Sequence, residues 1–299
     1  QSLFLMKAFI TGVGGFVGSY LAKELLAQGH TVSGCDRIEK NIDNVKTYAV
    51  DILDVDKLKE VFAAEKPDWV FHLAGQSSVS ISFDEPKLTK DINVTGTENL
   101  LSVAGDARVL IVSSAEVYGT PESLPVTEES PIQAGSPYAE SRVEQEKVAL
   151  ASGRDVVIVR SFNHSGPGQP DKFVLPYLAK QLAEVKKFKR DTILLGNPHT
   201  QRDFSDVRDI VRAYVLALEK GEKGEIYNLC SGNAYHLGKL AVQVGKEIGR
   251  DVEVVKDPKF NRPNDILKLY GSHKKFSKVT GWKPEISIVK TLLDMVDTW

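Results

Sequence analysis

The chain has 299 residues, of which 42% are hydrophobic and 26% charged, and its formal net charge is −2. This is an ordinary globular composition, long enough for one large domain or two closely joined ones. The nearly neutral charge gives no reason to expect nucleic-acid or anionic-membrane partners, and no apolar run approaches the roughly 20 residues that span a bilayer.

Strand-like and helix-like segments alternate along the first half of the chain. Apolar runs predict strands at 7–11, 31–35, 46–50, 69–73, 108–113 and 156–161, and helical spacing predicts helices at 18–28, 56–65, 87–104 and 138–152. Later segments predict a loop at 163–170, helices at 173–186 and 237–249, and a strand at 226–230. This alternation indicates an α/β fold with a doubly wound parallel sheet.

The two cysteines, Cys35 and Cys230, lie far apart in apolar segments. That separation indicates neither a disulfide framework nor the spacing of metal ligands. We therefore expect no metal site and a reducing, cytoplasmic location.

Three glycines, Gly12, Gly15 and Gly18, lie between the first strand and the first helix. A strand that turns tightly into a helix, with a pyrophosphate at the helix N-terminus, needs backbone without side chains at such points. The loop predicts a dinucleotide site, the alternative being a glycine-rich turn without a ligand.

Asp36 ends the second strand, where a carboxylate can accept hydrogen bonds from the ribose hydroxyls of NAD and would repel the extra phosphate of NADP. Arg37 could pair with that phosphate, so we expect NAD and keep NADP possible.

A serine, a tyrosine and an arginine form the second chemical motif. Ser114 ends a strand at the carboxyl edge of the sheet, where ligands bind in open α/β folds. Tyr138 and Arg142 are four residues apart and so share one helix face. The cation would stabilise the phenolate form of the tyrosine, and the three groups could move a proton while hydride passes to or from a nicotinamide.

These motifs, in this order, resemble the extended branch of the short-chain dehydrogenase/reductase superfamily, the NAD-dependent epimerases and dehydratases. The resemblance implies a Rossmann domain over 6–162, with returning segments near 203–230, and a smaller sugar-nucleotide-binding α/β lid from 163–202 and 231–299. Ser114 and Tyr138 match the family's Ser/Thr–Tyr–Lys triad. Arg142 replaces the lysine, which in the family also holds the nicotinamide ribose, and its planar fork is bulkier than an ammonium group.

The resemblance also implies two sets of binding residues. Those for the cofactor are Gly12, Gly15, Phe16, Val17, Asp36, Arg37, Asp51, Ile52, Leu73, Ala74, Gly75, Asn93, Tyr138 and Arg142. Those for the substrate are Gln76, Ser78, Ser114, Asn163, Val174, Arg202 and Arg262. His72 is expected to be structural. Segment 161–169 looks like the corresponding loop of GDP-6-deoxy-4-keto-mannose reductases, and Arg202 and Arg262 could together grip a diphosphate.

Glu116 keeps a second reaction open. In sugar-nucleotide 4,6-dehydratases, a glutamate two residues after the catalytic hydroxyl removes the proton at C5, and Glu116 has that spacing from Ser114. Related 4-ketoreductases can carry the same glutamate without needing a base. Glu116 is therefore a candidate catalytic residue, with a structural role as the alternative.

The leading hypothesis is an NAD(P)-dependent reductase of the 4-keto group of a GDP-6-deoxyhexose, with Tyr138 as proton donor. The alternatives are an NAD-retaining UDP-sugar 4-epimerase, a 4,6-dehydratase and, more remotely, a non-catalytic dinucleotide-binding protein. A GDP-sugar is the favoured partner, and UDP- or dTDP-sugars are possible. The family's habit of pairing helices 87–104 and 138–152 between subunits implies a homodimer.

Overall fold

The computed structural model describes residues 5–260 and 266–299 and contains a central sheet of seven parallel strands. From one edge to the other, the order is β11-β6-β5-β4-β1-β2-β3. The strands are β1 (Lys7–Thr11), β2 (Thr31–Asp36), β3 (Val45–Ala49), β4 (Trp69–His72), β5 (Arg108–Ser114), β6 (Val156–Ser161) and β11 (Ile226–Leu229). The predicted doubly wound parallel sheet is confirmed, and each predicted strand lies within one residue of its observed bounds.

The inner strands are buried on both faces, as their unbroken apolar sequences require. In β6 every residue is buried, and in β1 only Lys7 is exposed. Helices cover both faces of the sheet. They are α1 (Phe16–Ala27), α2 (Val55–Glu65), α5 (Gly96–Val103), α6 (Pro137–Ala151) and α8 (Val207–Lys220). One core lies under α1 and α8, and a second lies under α2, α5 and α6.

The helix predicted at 87–104 is interrupted. The chain forms α3 (Val79–Asp84), α4 (Pro86–Lys90), a π-helical turn at Asp91–Thr95, and then α5. The extra residue of a π turn rotates the side chains that follow it, and such turns are frequent at functional sites. Here the turn contains Asn93, whose side chain is fully buried.

A smaller unit follows β6 and has its own core. Its helices are α7 (Val174–Lys186), α9 (Leu237–Glu247) and α11 (Ile288–Val296), and α10 (Lys274–Thr280) packs beside β11. Its short strands are β7 (Asn163–Ser165), β8 (Thr192–Leu195), β9 (Gln201–Arg202), β10 (Phe204–Asp206), β12 (Tyr235–His236), β13 (Glu253–Lys256) and β14 (Lys268–Leu269). Between these segments α8 and β11 return to the central sheet. The exact domain boundaries drawn from the sequence stay a prediction.

Across the described ranges, 5–260 and 266–299, no helix has both the length and the apolar character needed to cross a membrane.

Candidate active site

The loop after β1 needs its first and third glycines for different reasons. Gly12 has φ +74°, a left-handed conformation that glycine adopts without strain, and its N–H donates to the Cys35 carbonyl at 2.7 Å. A Cβ at Gly18 would lie 2.2 Å from the Gly12 carbonyl oxygen. The loop and α1 can therefore approach this closely only with glycine at both positions.

The N-terminus of α1 suits an anion. Its N-cap residue is Gly15, and no described side chain caps the first turn, which also has no acidic residue. The leading amides of a helix lack intrahelical partners and carry partial positive charge. Because β1 lies between β2 and β4, where the strand order reverses, this terminus opens on the crevice in which doubly wound folds bind dinucleotides. The loop thus fits the pyrophosphate of NAD(P).

Asp36 and a lysine that the sequence analysis missed flank the middle of this loop. Both side chains lie close to Gly14, because a Cβ atom added to that glycine would lie 3.1 Å from Asp36 Oδ2 and 2.6 Å from Lys40 Cδ. The Lys40 ammonium donates to the Gly14 carbonyl oxygen, and Arg37 is exposed beside it. A carboxylate and an ammonium group therefore both lie beside Gly14, at the end of β2 where an adenosine ribose would bind. Lys40 follows β2 in a loop with no periodic pattern, so only its basic charge near Asp36 could have drawn attention to it.

Ser114 and Glu116 lie together at the carboxyl end of β5. Ser114 is the last residue of β5, in register with Ser161 of β6. Its Oγ accepts a hydrogen bond from the Glu116 N–H at 3.2 Å, which starts the 3₁₀ turn Ala115–Tyr118. The Ser114 hydroxyl can still donate its proton to a substrate oxygen.

Tyr138 and Arg142 lie on the first two turns of α6, at the same edge of the sheet. Ser136 caps this helix by accepting from the Ala139 N–H at 3.1 Å, and Pro137 occupies its first position. Both Tyr138 and Arg142 are buried, and the guanidinium carbon lies 5.2 Å from the tyrosine ring centroid. The predicted pairing of a phenol with a cation is thus present in the structure.

The Arg142 guanidinium also contacts β5, its own helix and the loop after β4. Its Nη1 donates to the Val112 carbonyl at 3.1 Å and to Gln145 Oε1 at 2.9 Å, and Nη2 lies 3.5 Å from the Gln76 carbonyl. Its Nε is buried and has no partner among the described residues. A buried donor without an acceptor is costly, so this atom fits the ribose hydroxyl of a nicotinamide nucleotide.

His72 is structural, as its position on β4 predicts. It bridges Thr11 Oγ1 at 2.8 Å and Thr97 Oγ1 at 2.9 Å. Burial, together with the nearby Arg142 charge, lowers the pKa of His72 to about 3. The ring is therefore neutral over the working pH range and links the end of β1 to α5.

Asn93 and Gln76 hold the loop after β4. Asn93 accepts from the Gln76 N–H at 2.9 Å and donates to the Gln76 carbonyl at 3.1 Å and to Ser141 Oγ at 2.9 Å. The Gln76 amide donates to the Ser78 carbonyl and to Thr89, and Ser78 caps α3. These contacts form the wall of the crevice at Gly75.

The remaining predicted cofactor residues line the same edge. Asp51 accepts from the Leu53 N–H at 2.9 Å, and Ile52 packs against Gly96 at the start of α5. Ala74 N–H donates to Thr11 Oγ1 at 3.1 Å. Half-buried residues at this edge are Phe16, Val17, Leu73 and Ala74.

Three of the predicted substrate residues, Asn163, Val174 and Arg202, lie in the smaller unit, whereas Gln76, Ser78 and Ser114 lie at the edge of the central sheet. Asn163 is exposed on β7 and donates to the Asp203 carbonyl at 3.3 Å, and Val174 is the exposed first residue of α7. Arg202 lies on β9, where Nη1 donates to the Gln201 carbonyl at 3.0 Å. Arg262 lies outside the described residues.

Asp203 is a buried residue that sequence reasoning did not single out. Its carboxylate accepts from Ser231 N–H and Oγ–H, both at 2.7 Å, from Gly232 N–H at 3.0 Å and from Gly271 N–H at 3.3 Å. Burial raises the pKa of Asp203 to about 6, although the four donated hydrogen bonds act to lower it. The carboxylate joins β9 to two loops beside the predicted diphosphate site.

Comparison with known proteins identifies the family. The family model of GDP-mannose 4,6 dehydratase matches residues 9–295, which is nearly the whole chain. The chain belongs to this family.

Two curated relatives match over almost their full length. The chain is 35% identical to GDP-6-deoxy-D-mannose reductase of Pseudomonas aeruginosa, over 98% of this chain and 97% of the relative. It is 31% identical to UDP-glucose 4-epimerase of Mycolicibacterium smegmatis, over 98% of each chain.

A solved structure agrees with this membership. The structure of RMD from Pseudomonas aeruginosa complexed with NADPH superposes with a TM-score of 0.86 at 34% identity, over 98% of both chains. The predicted extended short-chain dehydrogenase/reductase fold and the prediction of an NAD(P)-dependent enzyme are confirmed. The roles of individual site residues stay predictions.

Proposed function

We propose that this chain reduces the 4-keto group of a GDP-4-keto-6-deoxyhexose with NAD(P)H. The observation that carries the proposal is the 35% identity to GDP-6-deoxy-D-mannose reductase over nearly the whole of both chains. The loop at 161–169, which resembles that of these reductases, supports the same substrate class.

The chemistry follows from three side chains at the carboxyl edge of the sheet. A bound nicotinamide supplies hydride to the ketone carbon. The Tyr138 hydroxyl gives its proton to the resulting alkoxide oxygen, which completes the alcohol. Ser114 donates a hydrogen bond to the same oxygen, and the Arg142 charge, 5.2 Å from the Tyr138 ring, stabilises the phenolate left behind.

The nucleotide part of the substrate would bind on the smaller unit. Asn163 on β7 donates to the carbonyl of Asp203, the residue that follows Arg202 of β9, and Val174 begins α7. We assign the diphosphate to these groups and to Arg262, because guanidinium groups bind phosphate oxygens in pairs. Gln76 and Ser78 would contact the sugar from the opposite wall.

The assembly and location are further parts of this proposal. We infer a homodimer that pairs the helices of segment 87–104 and α6 across the interface. The described cysteines, Cys35 and Cys230, are both buried free thiols, which suits a reducing cytoplasm.

A spectrophotometric assay tests the reductase. Purified protein is mixed with GDP-4-keto-6-deoxymannose and either NADH or NADPH, and loss of the reduced cofactor is followed. We expect oxidation that depends on the sugar nucleotide, with the alcohol product identified by mass spectrometry. If no 4-keto-6-deoxy sugar nucleotide consumes the cofactor, the proposal is wrong.

A 4,6-dehydratase or an epimerase that retains NAD is the second candidate, favoured by Glu116 beside Ser114 and by the epimerase relative. Glu116→Gln separates the dehydratase from the reductase. Reduction needs no base at C5, so this variant should keep ketoreductase activity within about threefold, whereas loss of a general base costs a dehydratase about 10²–10⁴-fold. The control is Glu122→Gln, at an exposed glutamate in the following loop.

The epimerase has a different test. Tightly bound NAD in the purified protein, with no net oxidation of added cofactor, would favour the epimerase.

A further inference from the structure

A buried glutamine adjoins Arg142 on the next turn of α6. Gln145 has no exposed surface, and its Oε1 accepts from Arg142 Nη1 at 2.9 Å. Its Nε2 donates to Thr97 Oγ1, also at 2.9 Å. The side chain therefore bridges the proposed active-site cation and α5.

The neighbouring donors and acceptors fix which way this amide points. The Thr97 hydroxyl donates its single proton to the Asn93 carbonyl at 2.8 Å, so both contacts at its oxygen must come from donors. One donor is Gln145 Nε2 and the other is His72 Nε2, at 2.9 Å. The Gln145 carbonyl oxygen is consequently the atom that faces Arg142.

The other end of this network reaches the glycine loop. Because His72 donates from Nε2, its Nδ1 is an acceptor and receives the Thr11 hydroxyl proton at 2.8 Å. Thr11 in turn accepts from the Ala74 N–H at 3.1 Å. The orientation of Gln145 is thus set by groups on β1, β4 and α5, and not by Arg142 alone.

The guanidinium has little freedom on its remaining sides. A Cβ at Gly75 would lie 2.9 Å from Arg142 Nη2, so the absence of a side chain there makes room for the planar fork. Val112 and Gln145 together hold Nη1, and Nε is the buried donor without a described partner. A lysine ammonium is a compact point charge on a flexible stem and would not need this bracing.

We propose that Gln145 is a positioning residue that fixes the Arg142 guanidinium beside Tyr138 and leaves Arg142 Nε for the cofactor ribose. Gln145 thereby braces an arginine at the position where the family's Ser/Thr–Tyr–Lys pattern has lysine. The inference rests on the proposed function for the role of Tyr138, but it requires only that NAD(P)H binds at this edge of the sheet.

A double-mutant cycle tests the coupling between the two side chains. Gln145→Ala, Arg142→Lys and the double variant are compared with the wild type by titrating NADPH and following its fluorescence, without any sugar nucleotide. We expect Gln145→Ala to raise the Kd about tenfold, the scale of one hydrogen bond to a charged group. In the Arg142→Lys background the same substitution should change the Kd by less than about twofold.

A matched control separates positioning from general loss of core packing. Gln181 on α7 is also buried and also makes two hydrogen bonds, to Leu194 N–H and the Leu194 carbonyl. Gln181→Ala should lower the unfolding temperature as Gln145→Ala does, while leaving the NADPH Kd unchanged.

Two results would overturn the proposal. One is an equal effect of Gln145→Ala in the arginine and lysine backgrounds, and the other is an NADPH Kd unchanged in Gln145→Ala. Steady-state assays add a second readout, in which kcat falls and KM for the sugar nucleotide is unchanged. Because the titration contains no sugar, failure of the ketoreductase assay would leave the result on Gln145 intact.

Discussion

Tyr138 is buried, and its ring packs against the Arg142 guanidinium. Replacing Tyr138 with phenylalanine keeps the ring and removes only the hydroxyl group. Tyr138→Phe should lower kcat by about 10²–10⁴-fold, because a positioned proton donor contributes on that scale. Cofactor binding should persist, since the ring that packs against Arg142 remains. The measurement is the steady-state rate together with the NADPH titration.

A tyrosine on the far strand gives the comparison. Tyr48 lies on β3, and Tyr48→Phe removes a hydroxyl that donates to Glu65 at the end of α2, so this variant should keep full activity. A Tyr138→Phe variant with activity close to that of the wild type would show that another group donates the proton.

Cofactor choice is also decided by single residues. Lys40 and Asp36 both adjoin Gly14, and a 2′-phosphate there would meet the ammonium as well as the carboxylate. Lys40→Ala should lower kcat/KM for NADPH relative to NADH about threefold to fivefold, as expected for one exposed charge pair. Lys23→Ala on α1 is the control. If the ratio of kcat/KM for NADPH to that for NADH is unchanged, Lys40 does not select the cofactor, and Asp36 and Arg37 are the remaining candidates.

At the scale of elements, a buried ion pair joins α6 to β6 one turn beyond Arg142. Glu146 accepts from Arg160 Nε at 3.0 Å and Nη2 at 2.7 Å, and also from Ser113 Oγ at 2.6 Å. Both side chains are only 6% exposed. Glu146 therefore fixes the helix that holds Tyr138 against β6 through Arg160, and against β5, which ends in Ser114, through Ser113.

Glu146→Ala would leave the Arg160 charge buried without its partner. We expect the free energy of unfolding to fall by about 3–5 kcal/mol, measured by denaturant titration. The exposed pair Lys180–Asp171 supplies the control, because Lys180→Ala should cost less than about 1 kcal/mol. Equal small losses in the two variants would show that the buried pair does not stabilise the fold.

At the scale of the whole molecule, two helices that contact each other carry exposed apolar side chains. Leu88 on α4 is 45% exposed and Leu150 on α6 is 44% exposed, and the two helices are joined by a Lys90–Glu144 ion pair. These helices belong to the segments predicted to pair between subunits. Burial of these two side chains against a second copy would remove their apolar surface from water.

The double substitution Leu88→Glu with Leu150→Glu should convert the proposed dimer to a monomer, as measured by light scattering after size-exclusion chromatography. Phe188→Glu, at an exposed residue of the smaller unit, should leave the dimer intact. A monomeric wild type, or a dimer that survives the double substitution, would contradict the proposed interface.

The sequence by itself determined the central sheet and where the candidate catalytic residues lie on it. Buried parallel strands are apolar throughout, so β1, β5 and β6 stand out as runs, and Gly12 after β1 has a left-handed backbone conformation that favours glycine. Ser114 and Tyr138 could be predicted because a strand end and a helix face fix side-chain direction through local spacing alone.

Only the tertiary structure decided the contacts between distant segments. Gln145 meets Thr97, Lys40 meets Gly14, and Asp203 meets the loops that follow β11 and β14, and none of these contacts leaves a periodic pattern in the sequence. The π turn at Asp91–Thr95 likewise looks like ordinary helix in sequence, because hydrophobic spacing does not record one extra residue per turn. Polar contacts of this kind depend on which side chains the finished fold brings together, since a hydrogen bond needs a partner within about 3 Å and not a neighbour in the chain.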